Sequence, residues 1–496
     1  MKKVTLLILS LLFFLPNLYA ASGESVDDII NNAMAPATAL MERIVFAQFS
    51  IGGYDFPYIV AWIVIGAIFF TFYLRFINLR GFGQAIKILQ GKYAQEEDKG
   101  EVTQFQALTA ALSGSVGLGN IAGVALAISV GGPGATFWMI IAGFLGMSTK
   151  FVECTLGVKF RQIHADGTIS GGPMHYLDKG FSAKGWGRLG KFLAVFFSVM
   201  AIGGSLGGGN MFQVNQAAQQ FVAVMGGEST FFGQNTWIFG VIMAILVFLV
   251  IVGGFKSIAK VTEKIVPFMC AIYLIAAVTV LVSNFYAIPA AFSSIFISAF
   301  SGKAVGGGIL GALIQGIRRG AVSNEAGLGS AAIAHSAAKT SQPATEGFVA
   351  SLEPFIDTVV VCTLTALVIV ITGTHQSGEL DGIALTSTAF ETVISWFPLI
   401  LSIAVILFAL STMLTWSYYG LKAWTYLFGK NKQSEFLYKF IFCLFIVIGA
   451  SMSLDSVASF TDAMLLAMAA PNILGLYVLS PIVKKELNHF FAIAKR

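Results

Sequence analysis

Long apolar runs broken by short polar segments dominate the chain. Each bilayer crossing needs about 20 mostly apolar residues. The runs predict eleven spans, at 57–77, 104–130, 133–158, 191–223, 235–254, 260–283, 306–338, 346–373, 396–428, 436–452 and 458–482. Several exceed the minimum, which leaves room for tilt or breaks. Two further apolar segments, 284–300 and 382–394, are too short or too polar to cross and read as helices at the outer interface or over a vestibule. Ahead of the first span, Met1-Lys2-Lys3 and an apolar run to Leu15 precede small residues around Ala20 and Ala21. This pattern predicts a signal peptide over 1–21, the alternative being an uncleaved anchor. An acidic extracytoplasmic segment, 22–56, follows.

Composition agrees with the pattern. Of 496 residues, 56% are apolar and 11% charged, against roughly 25% charged in soluble chains. Mean hydropathy is +0.80. A soluble enzyme or a disulfide scaffold is excluded, and Cys154, Cys270, Cys362 and Cys443 stand singly without metal-ligand spacing. The net charge of +5 points to no nucleic-acid partner, because the basic residues are not clustered on one soluble segment. Their distribution instead sets orientation, since Lys and Arg favour cytoplasmic loops. With an odd number of spans and an N-terminus outside, the cytoplasmic segments include Arg75 to Lys99, Lys159 to Lys191, Lys256 to Lys264, Lys339, Lys422 to Lys439 and the tail 483–496. The outside segments hold only Arg43 and Lys303. The C-terminus is therefore expected in the cytoplasm, and the chain in a bacterial inner membrane.

Two spans carry more polarity than packing requires. Ser113-Gly-Ser-Val-Gly-Leu-Gly-Asn120 lies in the second and Gly320-Ala-Val-Ser-Asn-Glu-Ala-Gly-Leu-Gly329 in the seventh. Polar groups at membrane depth are expensive and mark sites. An unwound stretch survives only where its freed amides and carbonyls find protein, water or ligand. Helix N-termini so created attract a carboxylate, and freed carbonyls a cation. With the first span set aside, the other ten form two fives, 104–283 and 306–482, each opened by an interrupted span. Five-helix repeats are inverted relative to each other, and such paired interruptions point to a secondary transporter. Glu325 is expected to pair with Arg318 or Arg319; with Glu153 it keeps proton coupling open as an alternative.

In the ninth span, Ser411 and Thr412 follow Phe408 by three and four residues and share its helix face. Their hydroxyls and the Phe408 carbonyl are hard oxygen ligands for a small cation, although such hydroxyls also bond back to their own helix. Gly203-Gly-Ser-Leu-Gly207 matches a serine-hydrolase pattern but lacks the strand-to-helix context. An intramembrane hydrolase on Ser205 would need a base that the span does not offer. No enzymatic activity is expected; a channel remains a less favoured reading.

Together these segments resemble the alanine or glycine:cation symporter family, the sodium/alanine symporters. The resemblance is carried by Ala107–Gly123 (ALTAALSGSVGLGNIAG), Gly131–Trp138 (GGPGATFW), Thr149–Arg161 (TKFVECTLGVKFR), Gly209–Asn215 (GNMFQVN), Arg319–Ser330 (RGAVSNEAGLGS) and Ser411–Gly420 (STMLTWSYYG). It implies an all-α, LeuT-type fold of two inverted five-helix repeats with two broken helices, plus one extra N-terminal span at 57–77. It implies sodium-coupled uptake of alanine and glycine, with Na⁺ as coupling ion, no organic cofactor and no obligate protein partner beyond the lipid bilayer. The sodium ligands implied are the Ser113, Val116 and Phe408 carbonyls and the Ser411 and Thr412 side chains. The substrate carboxylate is expected at the Leu118 and Gly119 amides near Asn120, with Gly209 and Gln213 contributing. Ala321, Val322 and Ser323 would meet the ammonium and side chain, and Phe212 and Trp416 would wall the pocket. Gly114 stands where neurotransmitter-type carriers have Asn, so the resemblance does not carry over a second sodium site, although Asn120 could still serve as a ligand.

Overall fold

The computed structural model describes residues 36, 39–40, 43–51, 54–93, 95, 98–301, 308–376, 378 and 380–494. The signal-peptide expectation for 1–21, most of the acidic segment, Lys303 and the last two residues lie outside the described residues.

A two-stranded hairpin, β1 (Gln48–Ile51) and β2 (Tyr54–Pro57), leads into helix α1 (Tyr58–Tyr73). The first interrupted helix starts at a capping box, in which the Thr103 side chain and Gln106 satisfy each other's backbone amides. It runs as α2 (Gln104–Ser115), loses regular form over 116–118, and resumes as a π-helical turn, Gly119–Gly123, and α3 (Val124–Gly131). The two halves are bent by 49°. Next come α4 (Gly134–Lys159), then α5 (Gly187–Leu206) and α6 (Phe212–Val224) joined by a π-helical turn, Gly207–Met211. Helices α7 (Thr236–Ile251), α8 (Gly254–Ser283) and α9 (Ile288–Ala299) follow.

The second interrupted helix is α10 (Gly308–Asn324) and the short α11 (Ala331–His335). Helix α12 (Pro343–Ala350) continues through a π-helical stretch, Phe355–Cys362, into α13 (Thr363–Thr372). The last four helices are α14 (Gly382–Glu391), α15 (Phe397–Phe428), α16 (Lys432–Ser451) and α17 (Leu454–Ala494).

Helices thus occur at each expected span, with ends shifted by a few residues except that α17 continues to Ala494. Among the described residues, seven helices are long and apolar enough to cross a membrane, or eight with the bent pair. The protein is a multi-pass membrane protein. Helices α1 and α7 are apolar but only 16 residues long. Both halves of the second interrupted helix are short and carry Arg318, Arg319, Asn324 and His335, which lowers their apolar character.

Both segments expected to be non-crossing are helical. In α9, Ser298 accepts from the Gly134 amide and the Ala299 carbonyl accepts from Trp138 Nε1, pinning α9 to the start of α4. In α14, the Thr386 hydroxyl donates to the Ile121 carbonyl at 3.0 Å. That bond covers one of the carbonyls in the first π-helical turn, where the regular ladder shifts by one residue.

Candidate functional site

The sequence motifs extend beyond the actual breaks. Helix α2 persists through Ser113 to Ser115, and α10 through Asn324, so the irregular backbone is confined to 116–118 and 325–330. At the first break, the Gly117 amide donates to Asn120 Oδ1 (2.8 Å) and the Leu118 amide to Gln213 Oε1 (3.0 Å). Gln213 is itself oriented by donating to the Gly208 carbonyl at 2.8 Å. Leu118 therefore offers no free amide to a substrate carboxylate, contrary to expectation, because α6 supplies a side chain that reaches it first.

The hydroxyl helix α15 packs directly against α2. Thr412 Oγ1 donates to the Ser113 carbonyl (2.9 Å), and Ser113 Oγ donates to the Ser411 carbonyl (2.7 Å). Ser411 Oγ donates to the Phe408 carbonyl at 3.0 Å, the back-bond expected of a helical serine. All these residues are buried, as is Val116 at the end of α2. Four of the five residues implied as sodium ligands are thus linked by hydrogen bonds across two helices, and Val116 lies at the break beside them. The oxygens involved can turn lone pairs to a cation, because a hydroxyl both donates and accepts.

Beside this cluster is a cavity of 30 Å³ between the two interrupted helices, lined in part by Gly119, Phe212, Gln213, Val322, Ser323 and Trp416. The Trp416 ring is held by its Nε1 donating to the Gly114 carbonyl at 3.2 Å. Gly209 does not line the cavity; it lets α5–α6 approach the ring, since a Cβ there would lie 2.0 Å from Trp416 Cγ. Ala321 is also off the cavity. Successive helical residues turn by about 100°, so Arg319, Val322 and Ser323 share one face of α10 while Ala321 joins an apolar groove beside α1 and α4. Asn120 is turned away too: its Nδ2 donates to Asp357 Oδ1 at 2.6 Å.

Asp357 was not among the expected residues. It lies in the π-helical stretch, fully buried, and also accepts from Ser323 (2.8 Å) and Thr358 (2.7 Å). One carboxylate therefore ties the first interrupted helix to the second. Its signal in the sequence was a lone acid inside the apolar run Phe355–Cys362, a costly placement at membrane depth.

The second break is built from charged groups. Glu325 has φ 59°, and Gly327 and Gly329 also have positive φ, a conformation glycine adopts without the Cβ penalty. Glu153 accepts from the Gly327 amide (2.9 Å) and from Asn472 (2.7 Å). Beyond the break, His335 bridges Glu346 (2.6 Å) and Glu353, and Glu353 pairs with Lys150 at 2.9 Å. All four side chains are wholly buried. Arg161 donates to the carbonyls of Ser336, Ala338, Thr340 and Lys99, joining the ends of both interrupted helices.

The expected pairing of Glu325 with an arginine is not formed. Arg318 and Arg319 both pair with Asp462 of α17, at 2.7 and 2.9 Å, and Glu325 accepts from Ser330. Glu325 lies past the end of α10 with a left-handed backbone, and it lines the same cavity as Arg319 while bonding to Ser330. Ser205 donates to the Trp416 carbonyl (2.7 Å) and meets the Tyr438 hydroxyl (2.8 Å), with no base beside it among the described residues.

Comparison with known proteins finds one matching family, described as the sodium:alanine symporter family, over residues 41–496. The sodium/alanine symporter AgcS of Methanococcus maripaludis is 41% identical over 443 residues, covering 88% of this chain and 95% of that protein. A probable sodium/glutamine symporter, GlnT of Bacillus subtilis, is 33% identical over 426 residues and 85% of each chain. Among solved structures, MhsT in complex with L-phenylalanine matches with a TM-score of 0.53 at 15% identity, covering 77% of this chain and 89% of that one. This last likeness concerns the fold.

Proposed function

The chain belongs to the sodium:alanine symporter family, an amino-acid transporter family, and we propose that it carries alanine and glycine into the cell together with Na⁺. The observation that carries this reading is the hydrogen-bonded cluster of Ser113, Ser411 and Thr412 beside a small cavity between two interrupted helices. Its oxygens suit a hard cation, which takes oxygen ligands.

In this reading Na⁺ binds among the Ser113, Val116 and Phe408 carbonyls and the Ser411 and Thr412 hydroxyls, replacing hydrogen bonds now made between them. The zwitterion occupies the cavity, its carboxylate toward Gly119 at the N-terminal end of the resumed helix, its ammonium toward Ser323. The walls part to admit it, and Gln213 keeps the Leu118 amide. Eleven crossings in two inverted repeats, with the C-terminus cytoplasmic, would let the bundle expose this site to either side in turn. Sodium stabilises the state to which the amino acid binds, and each raises the affinity of the other by the same factor. One Na⁺ with a neutral zwitterion carries one charge, to which the membrane potential contributes about 2.3 kcal/mol per 100 mV.

Labelled alanine uptake in proteoliposomes with imposed sodium or proton gradients tests the reading. Accumulation driven by sodium is expected; accumulation driven only by protons would replace sodium with proton coupling. Glycine should compete and leucine should not, since Phe212, Val322 and Trp416 close on a small volume. Impermeant labelling of cysteines introduced at the exposed Glu228 and Lys484 positions tests orientation. The first should react from outside intact cells and the second should not.

A further inference from the structure

Beyond Ser323 the cavity has a wall that neither sodium nor the zwitterion's head group uses. On α10, Arg319 precedes Ser323 by one turn on the same face, and both line the cavity. Across from them α17 presents Thr461 and Leu465, again one turn apart. The Arg319 side chain is 11% exposed and its terminal nitrogens engage Asp462. Its Nε is buried without a hydrogen-bond partner, and so is Thr461 Oγ1. Among the described residues these are the only buried, unpartnered side-chain atoms belonging to residues that line this cavity. A buried donor left unpaired is costly, and both atoms belong to residues that line one cavity.

We propose that Arg319 Nε and Thr461 Oγ1 form a polar subsite for a hydroxyl on the substrate side chain, so that serine is a substrate alongside alanine and glycine. The proposal rests on reading the cavity as the amino-acid site. Arg319 Nε donates to the substrate hydroxyl, which in turn donates to Thr461 Oγ1.

The test uses the full chain in proteoliposomes under a sodium gradient. Unlabelled serine and 2-aminobutyrate compete with labelled alanine; the second carries a methyl where serine carries its hydroxyl. Serine is expected to inhibit at a roughly tenfold lower concentration, the scale of one buried hydrogen bond. The ratio should fall toward one in Thr461→Val and in Arg319→Lys, which keeps a charge for Asp462 but has no Nε. A ratio within one protein cancels losses in folding or insertion. If neither variant can be made, the parent ratio decides alone. Equal inhibition by the two compounds in the parent overturns the subsite, as does an unchanged ratio in both variants. Failure of alanine uptake under every gradient overturns the symporter reading itself, a distinct result.

Discussion

At the first break the Gly117 and Leu118 amides are met by Asn120 and Gln213, and the neighbouring Ser113 carbonyl by the Thr412 hydroxyl. At the second break the Gly327 amide is met by Glu153, and the resumed helix is fastened by His335, Glu346, Glu353, Lys150 and Arg161. Neutral partners can exchange one hydrogen bond for another, or for a cation, at modest cost. Buried ions cannot part without leaving an uncompensated charge. The chain thus keeps one break adaptable and the other rigid, and Asp357 joins them.

The contrast can be broken most forcefully at Lys150. Lys150→Met leaves Glu353 buried with one partner fewer and should destabilise the protein by about 3–5 kcal/mol. Adding Glu353→Leu should recover part of the loss, a coupling that a double-mutant cycle reads. Thermal unfolding in detergent is the measurement. A Lys150→Met protein as stable as its parent would refute rigid anchoring by charge.

At the adaptable break, the Ser411→Ala, Thr412→Ala double variant should lose roughly 2 kcal/mol of sodium binding, from two hydroxyl contacts. It should remain folded, since Ala is a good helix former. Alanine binding across a sodium titration checks this. An unchanged sodium dependence would put the cation elsewhere, with Asn120 and Asp357 next in line.

Asp357→Asn sharpens the link between the two breaks. The amide keeps an acceptor but weakens charge-assisted bonds from Ser323, Thr358 and Asn120, for a loss of about 1–2 kcal/mol. The thermal midpoint should fall less than for Lys150→Met; a larger fall would make the link, and not the ion network, the main anchor. The smallest effect belongs to Lys430→Ala, which removes an exposed pair with Asp166. No measurable change in midpoint is expected, and a clear loss would show that charge outside the buried network also holds this fold.

Apolar runs and their lengths were sufficient to anticipate a bundle of membrane helices, because the bilayer imposes a local requirement on each run. The glycines and polar residues at the two breaks were legible for the same reason: they conflict with the hydrocarbon around them. So was the adjacency of Ser411 and Thr412 on one helical face, which depends only on helix geometry. The partners of these residues lay beyond local pattern. Lys150 finds Glu353 203 positions away, Arg319 chooses Asp462 over the nearby Glu325, and Gln213 takes the Leu118 amide. Ala321 and Ser323 are equally plausible by sequence, and only the packing of α10 on its neighbours turned one out of the cavity and the other in. What depends on the medium or on helix geometry is written locally in the sequence; which buried groups meet depends on the packing of distant helices, and the tertiary structure alone decided it.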